Sequence, residues 1–76
     1  MLRAMRSMHS PEYKQFLTRL VAARHARRLT QDEVARALRI PRSRVSRMES
    51  GERRIDVIEL AAFARLYRRR LTYFVP

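Results

Sequence analysis

The chain has 76 residues and a formal net charge of +11, from 18 basic and 7 acidic side chains. That length holds one domain with a small core, and the absence of cysteine excludes a disulfide framework and a thiolate metal site. No apolar run approaches the roughly 18 residues of a membrane-spanning helix, and MLRAMRSMHS lacks the apolar segment of a signal peptide, so a cytoplasmic protein is expected.

Excess positive charge repels itself and favours polyanions. Nucleic acid is the first candidate partner, ahead of an anionic membrane surface or an acidic protein. The preference for arginine over lysine (only Lys14 is lysine) weighs less, because genome base composition also trades one for the other. Alanine, leucine and arginine dominate, glycine occurs once, and no run alternates with period two. The expected fold is therefore all-α.

Residues 1–10 read as a basic, flexible N-terminal arm, either solvated or touching phosphates. Ser10-Pro11-Glu12-Tyr13 reads as a helix start, with Ser10 as cap and Pro11 where a missing N–H costs nothing. Tyr13, Phe16, Leu17, Leu20 and Val21 then recur at helical spacing, and the helix ends near Arg27. Thr30-Gln31-Asp32-Glu33 is a capping box that opens a second helix, with Val34, Ala35 and Leu38 facing inward. Barely two turns long, that helix needs packing to hold it. Pro41 biases Ile40 away from helix. A third helix runs from about Arg42 to Glu49, with Val45 and Met48 inward, and Gly51 stops it. Asp56 and Glu59 start a fourth, whose packing face is Val57, Leu60, Ala61, Phe63 and Ala64. A short apolar element from Leu71 to Val75 is the fifth.

A short helix, a three-residue turn and a second short helix make a helix-turn-helix. Small Ala35 permits a close crossing, and Val34, Leu38, Ile40, Val45 and Met48 lock it from beneath. The opposite face of the third helix presents Arg42, Ser43 and Arg47, with Arg44 and Ser46 partly so. Such a helix fits a DNA major groove, where an arginine fork matches guanine O6 and N7. Arg53 and Arg54, in the loop beyond, suit phosphates better than bases.

Residues 20 to 66 resemble the DNA-binding domain of the Cro and phage-repressor, or XRE-type, family. LTQDEVARAL is similar to its first motif helix, RSRVSRMESGER to its recognition helix and following turn, and ERRIDVIEL to a bacterial and prophage subgroup. The resemblance implies a five-helix domain over residues 11–76 that binds double-stranded DNA. It implies that Gln31 contacts phosphate, that Arg44 contacts phosphate or a flanking base, that Arg42, Ser43 and Arg47 meet base edges, and that Arg24 and Glu49 form a charged pair. Separately, a guanidinium partner would relieve the unfavourable carboxylate at a helix C-terminus. Arg28, Arg39 and Arg68 stand where the family often has glycine, and Pro41 where it has a capping serine or threonine. Each arginine either takes a left-handed conformation or sits in a turn of different shape.

The resemblance implies a sequence-specific transcriptional regulator, in the first instance a repressor, acting as a homodimer on an inverted-repeat operator. Ile55, Ile58, Tyr67, Leu71, Tyr73 and Phe74 carry two readings, a dimer interface or completion of the protomer core. His9 and His25 have no metal-ligand company, Asp32, Glu33 and Glu49 have structural uses, and there is no glycine-rich phosphate loop. No enzyme activity, cofactor or metal is expected. The competing reading is an antitoxin-like or adaptor module that pairs with another protein and also binds DNA, though little chain is left over for a second interface. RNA binding is less favoured, because the aromatics fall on packing faces.

Overall fold

The computed structural model describes residues 10–76. The arm expected at residues 1–10 therefore lies, Ser10 apart, outside the described residues. Five helices follow one another: α1 (Pro11–Ala26), α2 (Gln31–Leu38), α3 (Arg42–Ser50), α4 (Val57–Tyr67) and α5 (Leu71–Phe74). The fold is all-α, with α2 and α3 forming the helix-turn-helix. α1 packs against α3, α4 and α5, and α4 packs against α5.

The helix starts follow from local chemistry. Ser10 Oγ accepts the Tyr13 N–H at 3.1 Å, with Pro11 inside the first turn. Thr30 and Glu33 close a reciprocal box: Thr30 Oγ1 accepts the Glu33 N–H at 3.0 Å, and Glu33 Oε1 accepts the Thr30 N–H at 2.9 Å. Asp56 and Glu59 repeat it at α4, at 2.7 and 3.0 Å. α3 starts without a side-chain cap, because Pro41 holds that place.

The helix ends are less regular. Gly51 closes α3 at φ +86°, and an added Cβ there would sit 3.2 Å from Leu17 Cδ1. Glycine is thus required both by the turn and by the approach of α1. Arg28, Arg39 and Arg68 take the left-handed region, with φ of 56°, 59° and 58°. Of the two outcomes open in the sequence, strain is the one adopted, at roughly 1 kcal/mol for each residue. What holds them is the bond that closes each helix end. The Ile40 N–H reaches the Ala35 carbonyl at 3.0 Å, the Arg69 N–H the Ala64 carbonyl at 3.0 Å, and the Leu29 N–H the Arg24 carbonyl at 3.3 Å.

Leu20, Val34, Val45, Met48 and Phe63 have no exposed surface and form the centre of the core. Two expectations are corrected here. Val57, assigned to the packing face of α4, is 68% exposed. It stands on the first turn and lines an open groove with Tyr13, Ile55 and Val75, where nothing among the described residues lies over it. Tyr67 and Phe74, which carried a dimer-interface and a protomer-core reading, are each 1% exposed and follow the second. Their rings complete the protomer core, Tyr67 stacked on Phe63 at 5.8 Å, so neither can meet a second copy. Tyr73 is half-buried, its ring flanked by the Arg19 and Arg69 guanidiniums at 5.7 and 4.7 Å. Ile55 is half-buried and its N–H donates to the Tyr13 hydroxyl at 3.2 Å. Ile58 and Leu71 are exposed.

The Tyr67 hydroxyl is buried and has no hydrogen-bond partner among the described residues. Burial pushes its pKa far above the ordinary tyrosine range, and the nearby Glu49 charge adds to this while Arg24 opposes it. An unsatisfied buried hydroxyl is a cost that phenylalanine removes while keeping the ring. Tyr67→Phe is expected to leave stability unchanged or raise it by about 1 kcal/mol. Urea denaturation measures this, and a clear loss of stability would mean that the hydroxyl has a partner.

Candidate nucleic-acid interface

α3 is divided by its own periodicity. Val45 and Met48 face inward with no exposed area. Arg42, Ser43, Ser46 and Arg47 are exposed, and Arg44 is half-buried. The first turn of α3 carries no acid, and its single carboxylate, Glu49, is turned inward with a side chain only 5% exposed. Among the described residues no carboxylate pairs with Arg42, Arg44 or Arg47. The outward face is thus polar and positive without internal compensation, on a helix held by α2 beneath it and by Gly51 at its end.

Glu49 ties this helix to two others. Arg24 Nε donates to Glu49 Oε2 at 2.7 Å, and Arg24 Nη2 to Oε1 at 3.1 Å. The third arm, Nη1, donates to the Leu29 carbonyl at 2.9 Å. One guanidinium therefore joins α1, the α1–α2 turn and the end of α3. The Glu49 hydrogen bond raises the Arg24 pKa, against the opposing effect of burial, and arginine stays charged throughout.

Gln31 is also held by this carboxylate, its Nε2 donating to Glu49 Oε1 at 2.9 Å. The amide of the expected phosphate contact is thereby fixed in orientation. Sequence reasoning did not find this bond, because nothing local links positions in two different helices. Arg53, another of the expected phosphate contacts, donates from Nη1 to Glu59 at 2.9 Å. Part of its charge is already met before any anion arrives. Arg54 is exposed in the same loop.

Arg24, Arg28, Leu29, Gln31 and Arg42 line a cleft of about 520 Å³ between the α1–α2 turn and the start of α3. Arg28 was read from sequence only as a departure from a turn glycine. Its place beside Gln31 and Arg42 becomes visible only once the turn is folded.

The α2 start is pH-sensitive. The Thr30 backbone N–H, then the Thr30 hydroxyl, hold the Glu33 carboxyl below its ordinary value of 4.5. A carboxylate with a depressed folded pKa contributes stability above its unfolded pKa and loses it as pH falls through the folded one. The box is thus expected to be intact at neutral pH, to weaken only once pH falls below the ordinary value of 4.5, and to open as pH passes through the lower folded value, while the aliphatic core still holds. Backbone NMR across that range should show the Thr30 and Glu33 amides shifting while the amide signals of the core persist. Simultaneous loss of all amide signals would contradict a local transition.

Among the described residues, no group of three or more His, Cys, Asp or Glu is placed to hold a metal ion, and no helix is long and apolar enough to cross a membrane. No curated protein and no solved structure matches the chain. A family model described as helix-turn-helix matches residues 20–74, from within α1 to the last residue of α5. With α2 and α3 crossing as described and the positive face of α3 turned outward, the chain belongs to the helix-turn-helix family.

Proposed function

We propose that this DNA-binding regulatory protein is a sequence-specific transcriptional repressor of the Cro and phage-repressor type. The observation that supports it best is the division of α3, with Val45 and Met48 buried and Arg42, Ser43 and Arg47 exposed on the other side. In this reading α3 lies in the major groove. Arg42 and Arg47 donate to guanine edges, Ser43 adds a less selective contact, and Gln31, Arg44, Arg53 and Arg54 position the duplex through its phosphates.

One small module covers a short site, so two copies reading an inverted repeat are the economical route to specificity. The side chains available for pairing are Ile58, Leu71 and half-buried Ile55 and Tyr73, joined by Val57 and Val75. Ile58 is 76% and Val75 61% exposed, Ile58 beside a groove with Leu38 and Ile40 and Val75 beside one with Tyr13 and Val57. A repressor of this form acts by occluding a promoter.

Selection from random duplex DNA at about 150 mM salt, a range in which phosphate contacts are already weakened, tests the reading. An enriched inverted repeat with guanines in each half-site is expected. Salt-sensitive binding with no enriched sequence would defeat it. Mass measurement on the selected duplex should show two 9.1 kDa protomers, and one protomer per duplex would defeat the dimer.

A further inference from the structure

We propose that the cleft between the α1–α2 turn and the start of α3 is a seat for one backbone phosphodiester of the duplex, with Arg28 as its principal cation. This rests on the DNA-binding reading above and adds a residue and a site to it.

The cleft is positive without compensation. Of its three arginines, Arg24 is neutralised by Glu49 at 2.7 Å. Arg28 and Arg42 line the same walls and, among the described residues, have no carboxylate partner. Two arginines without carboxylate partners that line one space raise its positive potential and favour an anion within it. Gln31 completes the set. One N–H of its amide is committed to Glu49, so the amide is held in place and its other N–H is the one left for an incoming oxygen.

The cleft is also built to hold Arg28 where it is. Its φ of 56° is a conformation that an L side chain adopts at a cost. The turn is clamped on both sides of it. The Arg28 N–H donates to the His25 carbonyl at 2.9 Å, and the Leu29 carbonyl accepts from Arg24 Nη1 at 2.9 Å. The buried ion pair thus fixes the turn from which Arg28 reaches the cleft. Glycine at this position would fold with less strain but would carry no charge.

A phosphate so bound lies beside the N-terminal end of α3, the end that carries Arg42 and Ser43. The contact therefore positions the duplex against the base-reading face and carries no sequence information itself. A free inorganic phosphate offers the same chemistry as the diester, and the two are told apart below.

Strain and charge give the test its direction, because they predict opposite effects of one substitution. The full chain, Arg28→Gly and Arg28→Lys are compared by thermal melting and by fluorescence anisotropy on a selected and an unrelated duplex across a salt series. Arg28→Gly is expected to melt at the parent temperature or above. Its affinity should fall about fivefold at about 0.15 M salt on both duplexes, and the slope of log affinity against log salt should shrink by about 0.9. Arg28→Lys keeps the charge and should keep the slope.

An unchanged slope in Arg28→Gly, with melting at or above the parent, would overturn the assignment and leave Arg28 a solvated turn residue. Equal slope losses in Arg28→Gly and Arg28→Lys would also overturn it. If the parent binds both duplexes equally yet Arg28→Gly loses slope, the phosphate seat stands and the sequence-specific reading fails. A parent that binds no duplex defeats both. Titration with inorganic phosphate that saturates the Arg28 and Gln31 amide shifts in the micromolar range would overturn the duplex assignment in favour of a free anion.

Discussion

Glu49→Ala lowers the stability of the folded chain by about 3 kcal/mol, enough to drop the melting temperature by more than about 10 °C in a domain of this size. The cost is not the loss of one attraction. The substitution leaves the Arg24 guanidinium, whose side chain is only 11% exposed, with a single carbonyl acceptor at Leu29. It also strands the Gln31 amide. An uncompensated buried charge is among the most destabilising changes a small core can receive. Arg24→Ala is expected to cost a similar amount, since it leaves the Glu49 carboxylate at 5% exposure with Gln31 as its remaining side-chain donor. The contrast is Arg36→Ala. Its partner Asp32 lies 3.8 Å away with both side chains largely exposed, and such pairs contribute roughly 0.5 kcal/mol or less. Chemical denaturation of the three variants should separate the two buried losses from the surface one. Three similar, small losses would mean that solvent screens the Glu49 clamp.

Arg47→Ala is expected to erase base preference at one position of each half-site while leaving the other positions intact. The side chain is exposed on α3 and has no carboxylate partner among the described residues. A bidentate arginine–guanine contact is worth about 1–3 kcal/mol of discrimination, so the preferred base should lose roughly five- to 150-fold of its advantage. Gln31→Ala is the counter-case and should weaken every sequence by the same factor. Repeating the selection with both variants reads this directly. A uniform loss for Arg47→Ala would move that residue to the phosphate contacts.

Much of the fold was written locally. The boxes at Thr30–Glu33 and Asp56–Glu59, the proline at the start of α1 and the glycine after α3 all act within one turn of chain, and each forms as its residue types require. The outward placement of Arg42, Ser43 and Arg47 followed equally from the inward pull of Val45 and Met48. The C-terminal third was less legible. Val57, Ile58 and Tyr67 on α4 and Phe74 on α5 are all large and apolar or aromatic, and residue type alone does not say which side of a helix finds a partner. Tyr67 and Phe74 found Phe63 and the interior, whereas Val57 and Ile58 stand past the covered part of α4. The Gln31–Glu49 bond and the Arg28 cleft depend on crossings between helices, which no local pattern encodes.

The three left-handed arginines have an evolutionary consequence. Every arginine codon lies a single base change from a glycine codon, so each of these turns can be relaxed in one mutational step. Strain relief of about 1 kcal/mol, offset by the greater freedom that glycine gives the unfolded chain, leaves a small net gain at each position. Because Arg28, Arg39 and Arg68 close three different helix ends, those gains should largely add. The chain thus stands one nucleotide, three times over, from a more stable and less charged relative of itself. Each such step removes one positive charge and relieves one strained turn, and none of the three alters the exposed side chains of α3.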